Sequence, residues 1–191
     1  TFISQMGALG NYGDSSYSDE GCAPATAAMF INSINKGGMT LEQAGDYAVK
    51  KGYKVKGDGT KEGFFQDIFA NNGIPTENVS GKGVLDALKA GKPTVLLGQD
   101  AENASKANSP FGKNPHYVLA TGLDANGNVI INDPESSGGG TVYNQKILSK
   151  VKSAISTKMQ GGRSGLYRNI WKRYGGATDT ALVKQQAWAF L

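Results

Sequence analysis

His116-Tyr-Val-Leu-Ala-Thr-Gly-Leu-Asp-Ala-Asn-Gly-Asn-Val-Ile-Ile-Asn-Asp133-Pro134 decides how this chain is read. Two apolar runs, His116–Leu123 and Asn128–Asp133, flank Asn126-Gly127, a dipeptide suited to the positive φ of tight hairpin turns. The stretch therefore predicts two antiparallel strands. Upstream, Pro93-Thr-Val-Leu-Leu-Gly98 reads as a third strand, separated from the hairpin by a long polar loop from Gln99 to Pro115. Everything before Pro93 has helical texture. Cys22-Ala-Pro-Ala-Thr-Ala-Ala-Met-Phe-Ile reads as a buried helix with Pro24 in its tolerated first turn. Thr40-Leu41-Glu42-Gln43 is a capping-box pattern opening a helix that Gly52 closes. Phe64, Phe65, Ile68 and Phe69 recur at helical spacing, and a short helix runs from Val84 to Lys89. Helices followed by strands indicate an α+β fold with an antiparallel sheet. Beyond Asn144 the chain is expected to be helical again, with Ile147, Leu148, Val151 and Ile155 at core-facing spacing on a helix from Gln145 to Met159. This divides the chain into a core of residues 1–143 and a helical extension, or linker to a further domain, of residues 144–191.

Composition sets the outer limits. A chain of 191 residues with 39% hydrophobic and 19% charged side chains is globular and long enough to bury a core without staples. No apolar run approaches the ~18 residues of a membrane span. Glycine is the outlier, 27 of 191 residues, and without a three-residue period it signals turns and caps. A single cysteine excludes an internal disulfide framework and Cys-rich zinc sites, and a single histidine excludes His-rich metal sites. The net charge of +4 is uneven: eight Lys/Arg and no acid lie between Ser136 and Thr178. No nucleic-acid motif accompanies them, so nucleic acid is not an expected partner. Arg163, Arg168, Lys172 and Arg173 surround Tyr167, Trp171 and Tyr174, a mixture that suits an anionic polymer, a neighbouring domain or a solvated face. The Thr start and the Trp-Ala-Phe-Leu end suggest a domain taken from a longer parent chain.

Three residues stand out chemically. A thiol is a nucleophile as thiolate, and a helix N-terminus favours that anion. Cys22 sits where a helix begins, although a lone cysteine also serves as an inert buried hydrophobe. His116 opens a strand after a long loop and so lies at a rim. Asp133 closes the partner strand, where a carboxylate can hold the imidazole by its Nδ1–H. With Asn126 and Gly127 as the two turn residues, Asp133 faces Ala120, four residues along from His116. Bringing the pair together then requires twist or a bulge.

The order of these residues resembles that of papain-like enzymes. Gly21-Cys-Ala-Pro-Ala-Thr-Ala-Ala-Met29, Gly91-Lys-Pro-Thr-Val-Leu-Leu-Gly98 and the His116–Pro134 hairpin resemble the bacterial double-glycine-leader peptidase-like branch of that superfamily, over roughly Gln5 to Pro134. The resemblance implies a papain-like fold with Cys22 as nucleophile, His116 as general base and acid, and Asp133 as orienter, Asn132 being the nearest alternative for the third role. The oxyanion hole departs from the pattern. Such enzymes place a Gln about six residues before the cysteine, where this chain has Ser16. Gln5 is the best substitute, with the intervening Gly/Tyr/Ser stretch as an inserted loop, and Asn11 comes second.

The resulting expectation is a cysteine peptidase cutting peptide or isopeptide bonds, with no metal or organic cofactor implied. The basic C-terminal third places a bacterial or phage cell-wall (peptidoglycan) endopeptidase, extracellular or surface-associated, narrowly first. A leader-peptide-processing protease, a thiol acyltransferase and an inactive binding domain are the alternatives. Other motifs are weaker. Asp124-Ala-Asn-Gly-Asn128 echoes a calcium loop but misplaces the glycine and lacks the closing Glu, so it is read as a turn.

Overall fold

The computed structural model describes residues 1–102 and 108–158. The basic-aromatic stretch from Arg163 to Tyr174 and the expected terminal helix from Asp179 lie outside these residues. The chain opens with an extended segment that leads into a two-stranded hairpin, β1 (Asn11–Tyr12) and β2 (Ser15–Ser16), and a single helical turn, α1 (Tyr17–Glu20). Three helices follow: α2 (Cys22–Asn35), α3 (Leu41–Lys50) and α4 (Phe64–Asn71). Then come β3 (Thr76–Val79), α5 (Lys82–Lys89), β4 (Thr94–Gly98), β5 (His116–Leu123), β6 (Val129–Asn132) and β7 (Thr141–Tyr143). A 3-10 turn (Gln145–Lys150) delivers the chain into β8 (Val151–Thr157). The six strands β3–β8 form one antiparallel sheet in the order β3-β8-β4-β5-β6-β7.

Helix α2 is the centre of this architecture. Ten consecutive residues, Ala23 to Asn32, are buried, as expected of a helix enclosed on all sides. Ala23, Ala25, Ala27 and Ala28 keep it slim enough to lie close to β5, and Thr26 Oγ1 donates to the Tyr117 carbonyl at 3.2 Å. Phe30 stacks on Phe69 of α4 with centroids 4.2 Å apart, a pairing worth ~0.5–1.5 kcal/mol beyond the area it buries. Helix α3 starts with the expected capping box: the Gln43 backbone N–H donates to Thr40, and the Thr40 N–H donates to Gln43 Oε1.

The sheet is buried on both faces. Val95 and Leu119 point toward α2, α3 and α4, whereas Leu96, Val118 and Ala120 point toward α5 and the 3-10 turn. This strict alternation is the two-residue period of a strand. Gly98, where β4 ends opposite His116, is packed beneath the Phe111 ring, which an added Cβ would meet at 2.5 Å.

The C-terminal part of this body corrects the sequence reading. Residues 145–157 are not a helix but a 3-10 turn and a central strand paired with β3 and β4. Ile147, Leu148 and Val151 do pack inward, yet Ala154 faces the α5 side and Ile155 the α2 side. The competing factor is tertiary pairing. Val, Ser, Ala, Ile, Ser and Thr suit a half-buried pleated surface, and two partner strands remote in sequence supply the ladder. Ser156 settles between Thr94 Oγ1 and the Pro93 carbonyl, both at 3.2 Å, so even its polar group fits the strand. Residues 144–157 therefore belong to the sheet that carries the site, not to an extension beyond residue 143.

Candidate active site

Cys22 is the first residue of α2 and is partly exposed, while the residues after it are buried. Gly21 immediately precedes it, with no side chain capping the helix. A Cβ at Gly21 would run into the Tyr17 carbonyl oxygen, so only glycine lets α1 turn this tightly into α2. That junction leaves Cys22 partly exposed at the start of the helix.

His116 is 4% exposed and Asp133 5%. Nε2 of the imidazole lies 2.6 Å from Asp133 Oδ1. The same carboxylate oxygen accepts the Glu135 backbone N–H at 2.9 Å, which fixes its orientation within the Asp133–Pro134 turn. The carboxylate therefore meets Nε2, not the Nδ1 anticipated from the sequence. Cys22 also acts on the ring, raising its pKa through hydrogen bonding and charge. A bulge makes the pairing possible. Leu123 opposes Val129, but beyond a register shift between Ala120 and Gly122 Leu119 opposes Asn132. Continuing that register sets Asp133 across from Val118, two residues from His116 on the same face, within diagonal reach of the side chains.

Burial pulls the His116 pKa down, but hydrogen bonds to Asp133 and Cys22, with the charges of both, outweigh it and raise it from 6.5 to about 9. The ring is therefore held as imidazolium at neutral pH. Burial pushes the Tyr117 hydroxyl up to about 12, with the charges of Cys22 and Glu62 adding to it, so this neighbour stays neutral.

Gln5 is 1% exposed and sits between the two halves of the site. Its backbone N–H donates to the Pro134 carbonyl at 2.9 Å, next to Asp133. Its Nε2 donates to the carbonyl of Ser18, four residues before Cys22, also at 2.9 Å. The second Nε2 hydrogen remains for another acceptor. Asn11 is exposed in β1, and Ser16, at the spacing where a Gln is usual, is instead the N-cap of α1, accepting from the Asp19 N–H. The hairpin β1–β2 is thus the insertion that separates Gln5 from Cys22. It is pinned by Lys54, whose Nζ meets Asp14 at 3.0 Å and Glu20 at 2.6 Å. Asn132 is occupied elsewhere, its Oδ1 accepting from the Gly140 N–H at 2.8 Å.

Two further groups at the site were not apparent from the sequence. Glu135 places a carboxylate oxygen 3.6 Å from His116 Nδ1, and Ser18 receives the Gln5 amide. Glu135 follows Asp133-Pro134 in sequence, which was the available signal. Asp124 closes the β5–β6 turn by accepting from the Asn126 and Asn128 N–H groups at 2.9 and 2.8 Å, as an Asx-turn does.

A slim buried helix opening on a cysteine, packed against an antiparallel sheet that delivers a His–Asp pair, is the papain-like arrangement, and the class is that of cysteine peptidases. The chain belongs to the Peptidase_C39 like family, whose model matches residues 1–158. Among solved structures it is similar to a chain described as a C39-like peptidase from Bacillus anthracis, at 17% identity and a TM-score of 0.59, covering 85% of this chain and 96% of that one. It is also similar to the peptidase domain of Streptococcus ComA, a bi-functional ABC transporter involved in a quorum sensing pathway. There the identity is 15% and the TM-score 0.57, with 82% and 98% of the two chains covered. No curated protein matches the sequence.

Proposed function

We propose that Cys22, His116 and Asp133 hydrolyse peptide bonds with Gln5 completing the oxyanion hole. The observation that carries this is the buried 2.6 Å contact between His116 Nε2 and Asp133, on a ring whose pKa Cys22 also raises. Cys22 Sγ attacks the carbonyl carbon, and the oxyanion that develops takes the Cys22 N–H and the second Nε2 hydrogen of Gln5. As the C–N bond breaks, Nδ1–H of His116 gives its proton to the leaving amine. Water then attacks the thioester while His116 Nδ1 takes its proton, which releases the acid and returns Cys22 and His116 to their starting state. Asp133 keeps the ring aimed and stabilises its positive charge throughout.

The substrate reading is a peptide cut after Gly-Gly, as in leader processing. Similarity to the peptidase domain of a transporter supports this ahead of wall cleavage. The preference for peptidoglycan rested on Arg163, Arg168, Lys172 and Arg173, which lie outside the described residues. Incubation with a peptide carrying an internal Gly-Gly, and in parallel with peptidoglycan fragments, tests the reading by mass spectrometry. New termini after Gly-Gly that vanish in Cys22→Ala are expected. Cleavage of wall fragments alone would overturn the substrate, and mass gain on an added amine would indicate acyl transfer.

A further inference from the structure

Gln5 reaches the site on a segment that is not continuous with the helix bearing Cys22, because the β1–β2 hairpin lies between them. An amide that must be aimed at an oxyanion therefore needs its own fastening, and Ser4 is placed to supply it. Ser4 Oγ lies 3.1 Å from the Pro134 carbonyl and 3.0 Å from the Ser136 carbonyl, two acceptors on the turn that carries Asp133. It also accepts the Met6 N–H at 3.1 Å, so one hydroxyl fixes the backbone on both sides of Gln5. The adjoining Gln5 N–H makes its own bond to Pro134. On the opposite side, Ser18 Oγ donates to the Gln5 carbonyl at 3.3 Å, and the Ser18 carbonyl accepts Nε2. Residues 4 and 5 thus clasp the Asp133 turn to the α1 turn that leads into Cys22.

We propose that Ser4 is a positioning residue that acts through Gln5, holding its amide where the oxyanion forms. This rests on the reading of Gln5 as an oxyanion donor, and the test separates the two. p-Nitrophenyl acetate acylates a thiolate through a tetrahedral intermediate: the Sγ–carbonyl bond forms, the C–O bond breaks, and p-nitrophenolate leaves with the electron pair. Iodoacetamide alkylates the same thiolate by displacement of iodide, with no oxyanion at any point. A donor, or a residue that aims one, changes the first rate and not the second, whereas a loosened fold or a lost thiolate changes both.

Loss of an oxyanion donor costs ~10²–10³ in rate, so Gln5→Ala should slow acylation on that order while alkylation stays within about twofold. Ser4→Ala should slow acylation by roughly tenfold, a fraction of that loss. In the Gln5→Ala background Ser4→Ala should add less than about twofold, the non-additivity expected of residues acting as one unit. Ser4→Thr, which keeps the hydroxyl, should restore acylation. If Gln5→Ala slows acylation alone but Ser4→Ala does not, or does so equally in both backgrounds, the clasp is wrong and the oxyanion reading stands. If Gln5→Ala changes neither rate, or both alike, both fall.

Discussion

Asp133→Asn separates the charge of the carboxylate from its position. The amide Oδ1 can still accept the His116 Nε2–H, so the ring stays oriented, but the negative charge 2.6 Å away is gone. In the wild type the upward influences outweigh burial and raise the His116 pKa from 6.5 to about 9. At pH 8.5 that corresponds to about 76% imidazolium, and a fall to 6.5 would leave about 1%. A fall of one unit would leave about 24%, so imidazolium at that pH should drop by between roughly threefold and 75-fold. At pH 5.5 the two proteins should both be more than ~90% protonated and nearly equal. Because His116 is the sole histidine, its ring-proton NMR resonance can be followed without ambiguity. The wild-type midpoint should lie near 9 and that of Asp133→Asn at least one unit lower. Amide cleavage, which needs the imidazolium to protonate the amine, should lose its alkaline limb in step. A wild-type midpoint near 6.5, or one unmoved by the substitution, would refute the claim that a buried carboxylate holds this ring protonated.

Other outcomes follow from the same geometry. Cys22→Ala should abolish turnover and cost only the part of the His116 stabilisation that Cys22 supplies, because the thiol is partly exposed. His116→Ala should cost about as much activity as Cys22→Ala, since members of one catalytic unit are not additive. The raised pKa also makes stability depend on pH: the His116 contribution is complete below 6.5 and lost as pH rises through about 9. At 1.36 kcal/mol per unit, that is about 3 kcal/mol, measurable by urea unfolding at pH 6 and pH 10 and diminished in Asp133→Asn. Lys54→Met should lower stability in the same assay, because it removes the cation shared by Asp14 and Glu20 and so loosens the β1–β2 insertion.

Much of the fold was legible because local rules and tertiary context agree. Helix α2 has a tolerated Pro24 and a row of small residues, α3 has both halves of its capping box, and the β5–β6 turn contains Asn126-Gly127. The strands that escaped are those whose identity depends on remote partners. β3 and β7 are edge strands of four and three residues, too short for a period to show. β8 was misread because Ile147, Leu148, Val151 and Ile155 fit a helical stripe as well as they fit a turn followed by a strand. Periodicity cannot separate these where a 3-10 turn runs directly into a strand, since it samples two structures in one window. The deciding interactions, Thr94 with Ser156 and the ladders to β3 and β4, span some 50 to 80 positions of sequence.

The candidate site was legible to the extent that chemistry is scarce in this chain. One cysteine, one histidine and an Asp ending the next strand leave few ways to assemble a nucleophile, a base and its partner. The sequence could not reveal which ring nitrogen meets the carboxylate, because that depends on strand register. A two-residue turn with unbroken pairing puts Asp133 four residues from His116. The actual five-residue turn of Asp124 to Asn128, with the bulge near Thr121, puts it two residues away. A bulge is a single unpaired residue and leaves little trace in composition, yet it re-aims every side chain beyond it. Gln5 shows the converse. Its residue type was recognisable, but its distance from Cys22 was not the usual one, and only the pinned β1–β2 insertion accounts for the difference. Had the hairpin been loose, 16 intervening residues would have left the amide unplaced. Lys54 holds the insertion to the body, and the bonds from Gln5 to Pro134 and Ser18 fix the amide between the two halves, so a long spacing in sequence becomes a short one in space.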